Sequence, residues 1–497
     1  MQQHLLLQSE EGVVIRMQKS RVKRIVSAGL VALLTTTQML GCAQETATVE
    51  IKPMEAEESN AVSPSVIGGK DVMPLSGYYG PYVSTNCEDG QTMPDYYTDE
   101  IWQAIADCGI NLILYSTANY KSSPDEVKKN LDFGEKYNIG IVVRDYNILD
   151  MTVNDEEITL EKVTEYLSEY MNHPAFAGAY LIDEPGTSYF HPEQNERWNL
   201  KNFTELGPML FQELGIFTYA QAYPSTGGQN EHDRYEQYIR EYYEVLQPTY
   251  LLYDRYPFDK VNEGKIDDHF YDLSIIRKVA QDNDIPFWAY IGAGSQWNEG
   301  TSSGTLETNG YYPEEGQFDW HVNTCLAFGM QGMVFFPLIQ PYHFTLTSTS
   351  YDFERNGVLG AMGNKNRWWY YIQDITKHVE VIDEVLMNSV NKGVLVYGEQ
   401  AKKDMAEAKE YGAILEGNSW RELRDVTGDA MVGCFNYQGK TALYVVNYST
   451  EYAQKIDLTF QDTYNVTVIQ DAEIKNLQGA GITLDMVAGE GVLLVFE

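Results

Sequence analysis

The residues of this sequence best suited to chemistry are Asp183 and Glu184, adjacent carboxylates that close the apolar run Phe176-Ala-Gly-Ala-Tyr-Leu-Ile-Asp-Glu-Pro185. Apolar residues without polar alternation suit a parallel strand covered on both faces, and Pro185 cannot donate to a ladder, so pairing should stop there. The two acids then stand at the carboxyl end of a strand. In a parallel α/β barrel that end carries the active site, and cleavage of a glycosidic bond needs a carboxylic acid held there as proton donor. Glu184 reaches further and is the candidate general acid. Asp183 is the neighbour that holds surrounding groups or raises the glutamate's pKa by like-charge proximity. The competing reading is an acidic pair that caps the following turn.

Glycoside hydrolysis also uses an ionised carboxylate, to attack or to activate water. Asp254, ending the predicted sixth strand, and Glu299, in the loop after the seventh, are the candidates. Glu314 and Glu315 fit better as acids at a helix N-terminus. The predicted strand ends also gather Tyr79, Tyr115, Arg144, Asp145, Gln221, Tyr223, Tyr256 and Tyr290, with Trp297 in the loop after the seventh strand. Sugar hydroxyls take paired donors and acceptors, and sugar rings take flat apolar faces. The set therefore suits a carbohydrate better than a phosphate.

Strands and helices must alternate to bring these positions together. Strands are predicted at Ser76 to Val83, Ile110 to Tyr115, Ile139 to Tyr146, the Phe176 run, Phe217 to Tyr223, Tyr250 to Tyr256, Pro286 to Gly292 and Gly332 to Pro337. Helices are predicted at Asp99 to Cys108, Ser123 to Tyr137, Leu160 to Met171, Leu200 to Leu214, Arg234 to Leu246, Leu273 to Gln281, Pro313 to Phe328 and Trp368 to Met387. Eight such pairs over residues 69–388 argue for a (β/α)8 TIM barrel. A doubly wound sheet would want a glycine-rich first turn, and Gly80-Pro81 is not one. Short strands between turn residues follow from Asn391, which predicts a small all-β sandwich over residues 389–497.

The amino-terminal part reads as an address. Met17 opens a basic segment followed by the apolar Ile25 to Leu40 and then Gly41-Cys42, so residues 1–42 read as a secretory signal whose true start is Met17. Met39-Leu-Gly-Cys42 resembles a bacterial lipobox, implying cleavage before Cys42 and lipidation of its sulfur; ordinary signal cleavage nearby is the alternative. Residues 43–68 are small, acidic and free of aromatics, as a flexible tether would be. The expected location is the bacterial cell envelope, lipid-anchored and facing outside the cytoplasm.

A net charge of -37 makes nucleic acid and polyanionic glycans poor partners. Cys87, Cys108, Cys325 and Cys434 show no metal spacing among themselves, and with only eight histidines and no His-x-His after the first strand, a zinc-hydrolase barrel lacks support. No cofactor and no metal are expected. Thirty-seven tyrosines fit ring stacking on sugars, alongside ordinary core packing.

The segments His173-Pro-Ala-Phe-Ala-Gly-Ala-Tyr-Leu-Ile-Asp-Glu-Pro185, Tyr253-Asp-Arg-Tyr-Pro257, Pro286-Phe-Trp288, Trp320 to Gly329 and Gly332-Met-Val-Phe-Phe336 resemble clan A glycoside hydrolases, including their β-galactosidase-like branch. The resemblance covers roughly residues 75 to 388. It implies an acid/base glutamate ending the fourth strand, which Glu184 matches, with Asp183 where the family usually has Asn. It also implies a nucleophilic glutamate ending the seventh strand, where this chain has Gly-Ala-Gly, so only Glu184 is carried over. The leading expectation is a glycosidase acting on a neutral oligo- or polysaccharide. A glycan-capturing lipoprotein without turnover is the alternative from another class, and a lyase using Tyr79 or Tyr256 as base is a third.

Overall fold

Eight short apolar segments form parallel strands that close on themselves: β1 (Leu75–Tyr78), β2 (Leu112–Leu114), β3 (Gly140–Val143), β4 (Phe176–Asp183), β5 (Thr218–Ala222), β6 (Leu251–Asp254), β7 (Phe287–Gly292) and β8 (Met333–Phe336). β8 pairs in parallel with β1, through Leu75 to Met333 and Gly77 to Phe335, which completes the barrel. The computed structural model describes residues 72–82, 95–114, 123–144, 158–185, 205–214, 216–222, 224–225, 234–258, 266–294, 312–339 and 357–497. The expected signal, Cys42 and tether lie outside the described residues.

The helices between these strands are α1 (Asp99–Asp107), α2 (Pro124–Tyr137), α3 (Leu160–Leu167), α4 (Tyr235–Leu246), α5 (Ile266–Asp282), α6 (Glu315–Ala327) and α7 (Arg367–Met387). Their starts follow local chemistry. Thr98 accepts from the Ile101 amide at 3.4 Å, and Ser123 accepts from Glu126 at 3.3 Å with Pro124 at the first helical position. Glu314 caps α6 while its amide donates to Gln317 Oε1 at 3.0 Å, a reciprocal capping box. α5 begins seven residues before the predicted Leu273. Asp267 and Asp268 stabilise its first turn through the helix dipole, although they interrupt the apolar pattern. Between α3 and β5 the predicted helix from Leu200 is described from residue 205 and finishes as a π-helical turn, Met209–Glu213.

After α7 come β9 (Ser389–Val396), a short helix α8 (Glu399–Asp404), and strands β10 (Leu423–Thr427), β11 (Ala430–Tyr437), β12 (Lys440–Asn447), β13 (Gln454–Gln470), β14 (Glu473–Met486) and β15 (Gly491–Phe496). They form an antiparallel sheet in the order β10-β13-β15-β12-β11-β9, with β14 on β13. The sequence alone reads β13 as two short strands, Lys455 to Thr459 and Asn465 to Ile469, and does not read β14 as a strand. One bend explains the first: the register slips between Thr459 and Tyr464, so the first half of β13 pairs with β10 and the second half with β15. A strand that changes layer at such an irregularity makes the corner of a sandwich. The first part of β14, to Gly481, is largely exposed and carries no apolar alternation to read; only its end, Ile482, Leu484 and Met486, alternates.

The two faces of β12 show how this domain is used. Leu443 and Val445 enter a core shared by β9 to β15, while Ala442, Tyr444 and Val446 join the barrel's core. α6 is covered on both sides, by the barrel and by this sheet, which is why nine of its thirteen residues are buried and it has no polar face. Asn323 on α6 donates to the Gly489 carbonyl at 2.8 Å and accepts from Tyr444 at 2.7 Å. Gly433 of β11 lies so close that a Cβ there would meet the Ala327 carbonyl and stand 2.8 Å from the Ala327 Cα. Gly433→Ala is expected to cost about 1–3 kcal/mol through overpacking against this backbone. Chemical denaturation of the variant beside wild type checks it; an unchanged midpoint would mean that α6 gives way freely.

Candidate active site

The mouth is built on β4. Gly178 has φ 140°, and a Cβ there would sit 2.5 Å from the Phe217 carbonyl, so only glycine fits this irregular point of the strand. A second irregularity follows, where β5 pairs with Tyr180 and then with Ile182. In a regular strand residues three apart point to opposite faces. The extra residue, Leu181, shifts the phase so that Tyr180 and Asp183 share a face, and the Tyr180 hydroxyl donates to Asp183 Oδ1 at 3.2 Å. From β1, the Tyr78 hydroxyl donates to Asp183 Oδ2 at 2.8 Å.

Burial drives the Asp183 pKa upward, opposed by the Tyr78 bond, the Arg144 charge and the Tyr180 bond. Arg144, buried just past β3, has its guanidinium carbon 5.9 Å from the centre of the Tyr180 ring. Aromatic rings surround the carboxylate. The Tyr78 ring centre is 5.5 Å from that of Tyr290, 6.1 Å from Tyr180 and 5.7 Å from Phe336, and Tyr256 lies 6.1 Å from Phe336.

Glu184 follows Asp183 with φ 44°, and Tyr79 at the end of β1 has φ 64°. Left-handed backbone costs a residue with a side chain roughly 1–2 kcal/mol, and such strain gathers at functional sites. Here it turns the chain sharply at two barrel strand ends. Three carboxylates act on one phenol: after burial, Asp183, Asp254 and Glu184 all push the Tyr290 pKa up. The same three, with Tyr290, push up Tyr256. Asp254, buried at the end of β6, is thus in the same electrostatic neighbourhood as Glu184.

Of the residues expected at the site, Asp183, Glu184, Asp254, Tyr79, Arg144, Tyr256 and Tyr290 are at the strand ends of the described barrel. Gln221 is in β5. Tyr115, Asp145, Tyr223, Trp297 and Glu299 lie outside the described residues. Tyr78 and Tyr180, the two phenols bonded to Asp183, were missed. In Tyr78-Tyr79 the sequence does not reveal which ring faces inward, and Tyr180 reaches the carboxylate only through the bulge at Leu181.

A second polar group braces this face from behind. Arg255 donates to the Ser225 carbonyl at 2.7 Å and to Asp268 Oδ2 at 2.9 Å, and lies 3.7 Å from Asp272 Oδ2, which accepts from the Ser225 amide at 3.0 Å. Burial outweighs Arg255 and pushes the Asp272 carboxyl up to about 7. Folded protein then keeps this proton while unfolded chain, with an ordinary carboxyl near 3.9, has lost it. The contribution to stability is full below about pH 4 and is lost as pH rises to 7, at most on the order of 4 kcal/mol. Asp272→Asn is expected to flatten this fall, seen by comparing urea midpoints of variant and wild type at pH 4.5 and 7.5. Parallel curves would rule out a raised Asp272.

No known family's sequence profile matches the chain, and no curated protein matches it in sequence. Solved structures do. A GH42 β-galactosidase catalytic mutant from G. stearothermophilus shares 9% identity over 86% of this chain and 98% of its own, with a TM-score of 0.47. A GH27 β-L-arabinopyranosidase mutant from Geobacillus stearothermophilus shares 8% over 86% and 98%, with a TM-score of 0.44. A glucosidase from Croceicoccus marinus shares 10% over 86% and 95%, with a TM-score of 0.39. The similarity to these three structures is one of fold.

Proposed function

We propose that this protein is a glycoside hydrolase acting on a neutral oligo- or polysaccharide, with Glu184 as general acid/base, tethered through a lipid on Cys42 to the outside of a bacterial envelope. The observation that carries the reading is Glu184 on a strained turn at the carboxyl end of β4, acting with Asp183 and Asp254 on Tyr290 and Tyr256. Asp183 is occupied by Tyr78 and Tyr180. Glu184, the acid at the turn after β4, is the one we assign to the departing oxygen, and Asp254 is the second carboxylate we favour over Glu299.

In this scheme a sugar lies across the Tyr79, Tyr256 and Phe336 rings. Glu184 protonates the departing glycosidic oxygen while positive charge develops on the sugar ring, next to the carboxylates. Asp183 holds Tyr78 and Tyr180 in place.

A second reading, capture of a glycan without turnover, is favoured by one feature: β7 runs into Gly292-Ala-Gly294, so no acid ends that strand. Incubating the purified protein with a panel of neutral oligosaccharides and weighing the products separates the two. Hydrolysis of any member supports the enzyme. A glycan that raises the melting temperature but is never cut supports capture and removes Glu184 from its role.

A further inference from the structure

Behind the barrel wall, His321 and Cys325 stand one turn apart on α6, and His269 of the first turn of α5 meets them. All three are buried, and a ligand atom from each lies within 4.8 Å of the other two. The imidazoles of His269 and His321 cross edge to face, with ring centres 5.3 Å apart. We propose that His269, His321 and Cys325 bind a borderline-soft transition-metal ion, zinc in the first place, which staples α5 to α6. The proposal is independent of the reaction assigned above.

Three observations carry it. Residues four apart on a helix share one face, so His321 and Cys325 present their donors together. Next, Thr324 fixes the His269 tautomer. Its hydroxyl donates to the His321 carbonyl at 3.1 Å and so accepts from His269 Nε2 at 3.4 Å. That leaves Nδ1 with a lone pair, and it is buried without a hydrogen-bond partner. A buried acceptor left unmatched costs about 1–3 kcal/mol, a loss that a metal bond removes. Third, the donor set is two imidazoles and a thiol with no carboxylate, which suits zinc and its neighbours and not magnesium or calcium. Around a tetrahedral zinc, donor atoms stand about 3.5 Å apart. The cluster therefore closes by roughly an ångström through side-chain rotation. On binding, the Cys325 sulfur gives its proton to solvent and a metal–sulfur bond takes its place, so one proton leaves per ion. Reading cysteine spacing alone hid this arrangement, because the partners of Cys325 are histidines and one of them is on another helix.

The test uses the full chain, treated with a chelator and titrated with cobalt(II). The expected result is a thiolate-to-cobalt absorption band that saturates at one ion per chain, releases one proton per ion and is displaced by zinc. Cys325→Ser should lose the band, and His269→Ala should weaken binding at least tenfold. Wild type alone is decisive should a variant fail to fold. No band, no zinc retained after dialysis and no shift in melting temperature on adding zinc would overturn the site and leave the three residues as ordinary core. A band that survives in folded Cys325→Ser would place the metal elsewhere and overturn it equally.

Discussion

Glu184→Gln is expected to lower kcat on a natural glycoside by about 10²- to 10⁴-fold, the range that a positioned proton donor supplies. Glutamine keeps the length and the hydrogen-bonding surface of the side chain but has no proton to give. KM and stability should change little, because Glu184 is partly exposed and lies at the edge of the core. The variant thus separates chemistry from binding. A fall in kcat/KM through KM alone would make Glu184 a substrate contact and move the acid elsewhere.

Asp183→Ala is expected to damage both stability and activity. Its carboxylate accepts from the Tyr78 and Tyr180 hydroxyls, and both rings are buried. Alanine leaves two buried hydroxyls without this acceptor, at about 1–3 kcal/mol each, and removes an anion beside the buried Arg144 guanidinium. A total loss of about 3–5 kcal/mol is expected, comparable with breaking a buried charge pair. Asp183→Asn keeps one carbonyl acceptor and should recover more than half of that stability. Activity should stay low in both variants, since the two phenols lose the carboxylate that fixes them. Urea denaturation with kcat measured on the same samples checks this. Full stability in Asp183→Ala would show that Tyr78 and Tyr180 find other acceptors and that Asp183 holds nothing.

The barrel was legible because it rests on repeated local signals: apolar runs covered on both faces, Thr98 and Ser123 as caps, Pro124 at a helix start. Glu184 and Asp254 could be named because strand ends are marked by the first polar residues after such a run. What escaped was set by irregularity and by tertiary contact. The phase shift at Leu181 brings Tyr180 to Asp183, and no periodicity announces a bulge. β14 escaped because its exposed first part, to Gly481, needs no hydrophobic alternation, and the alternation at Ile482, Leu484 and Met486 is short. His269, His321 and Cys325 carry no joint signal in the sequence, and only the packing of α5 against α6 makes them a group.

In the proposed function Glu184 delivers a proton to the departing oxygen. The most direct measurement compares wild type with Glu184→Gln on two glycosides of one sugar, one with an alkyl leaving group and one with a nitrophenyl leaving group. A nitrophenolate departs without protonation, so in kcat/KM, which reports the step that expels the leaving group, the variant should lose on the order of 10³-fold on the alkyl glycoside and tenfold or less on the nitrophenyl one. Equal losses on both substrates would contradict the account and take the role of general acid away from Glu184.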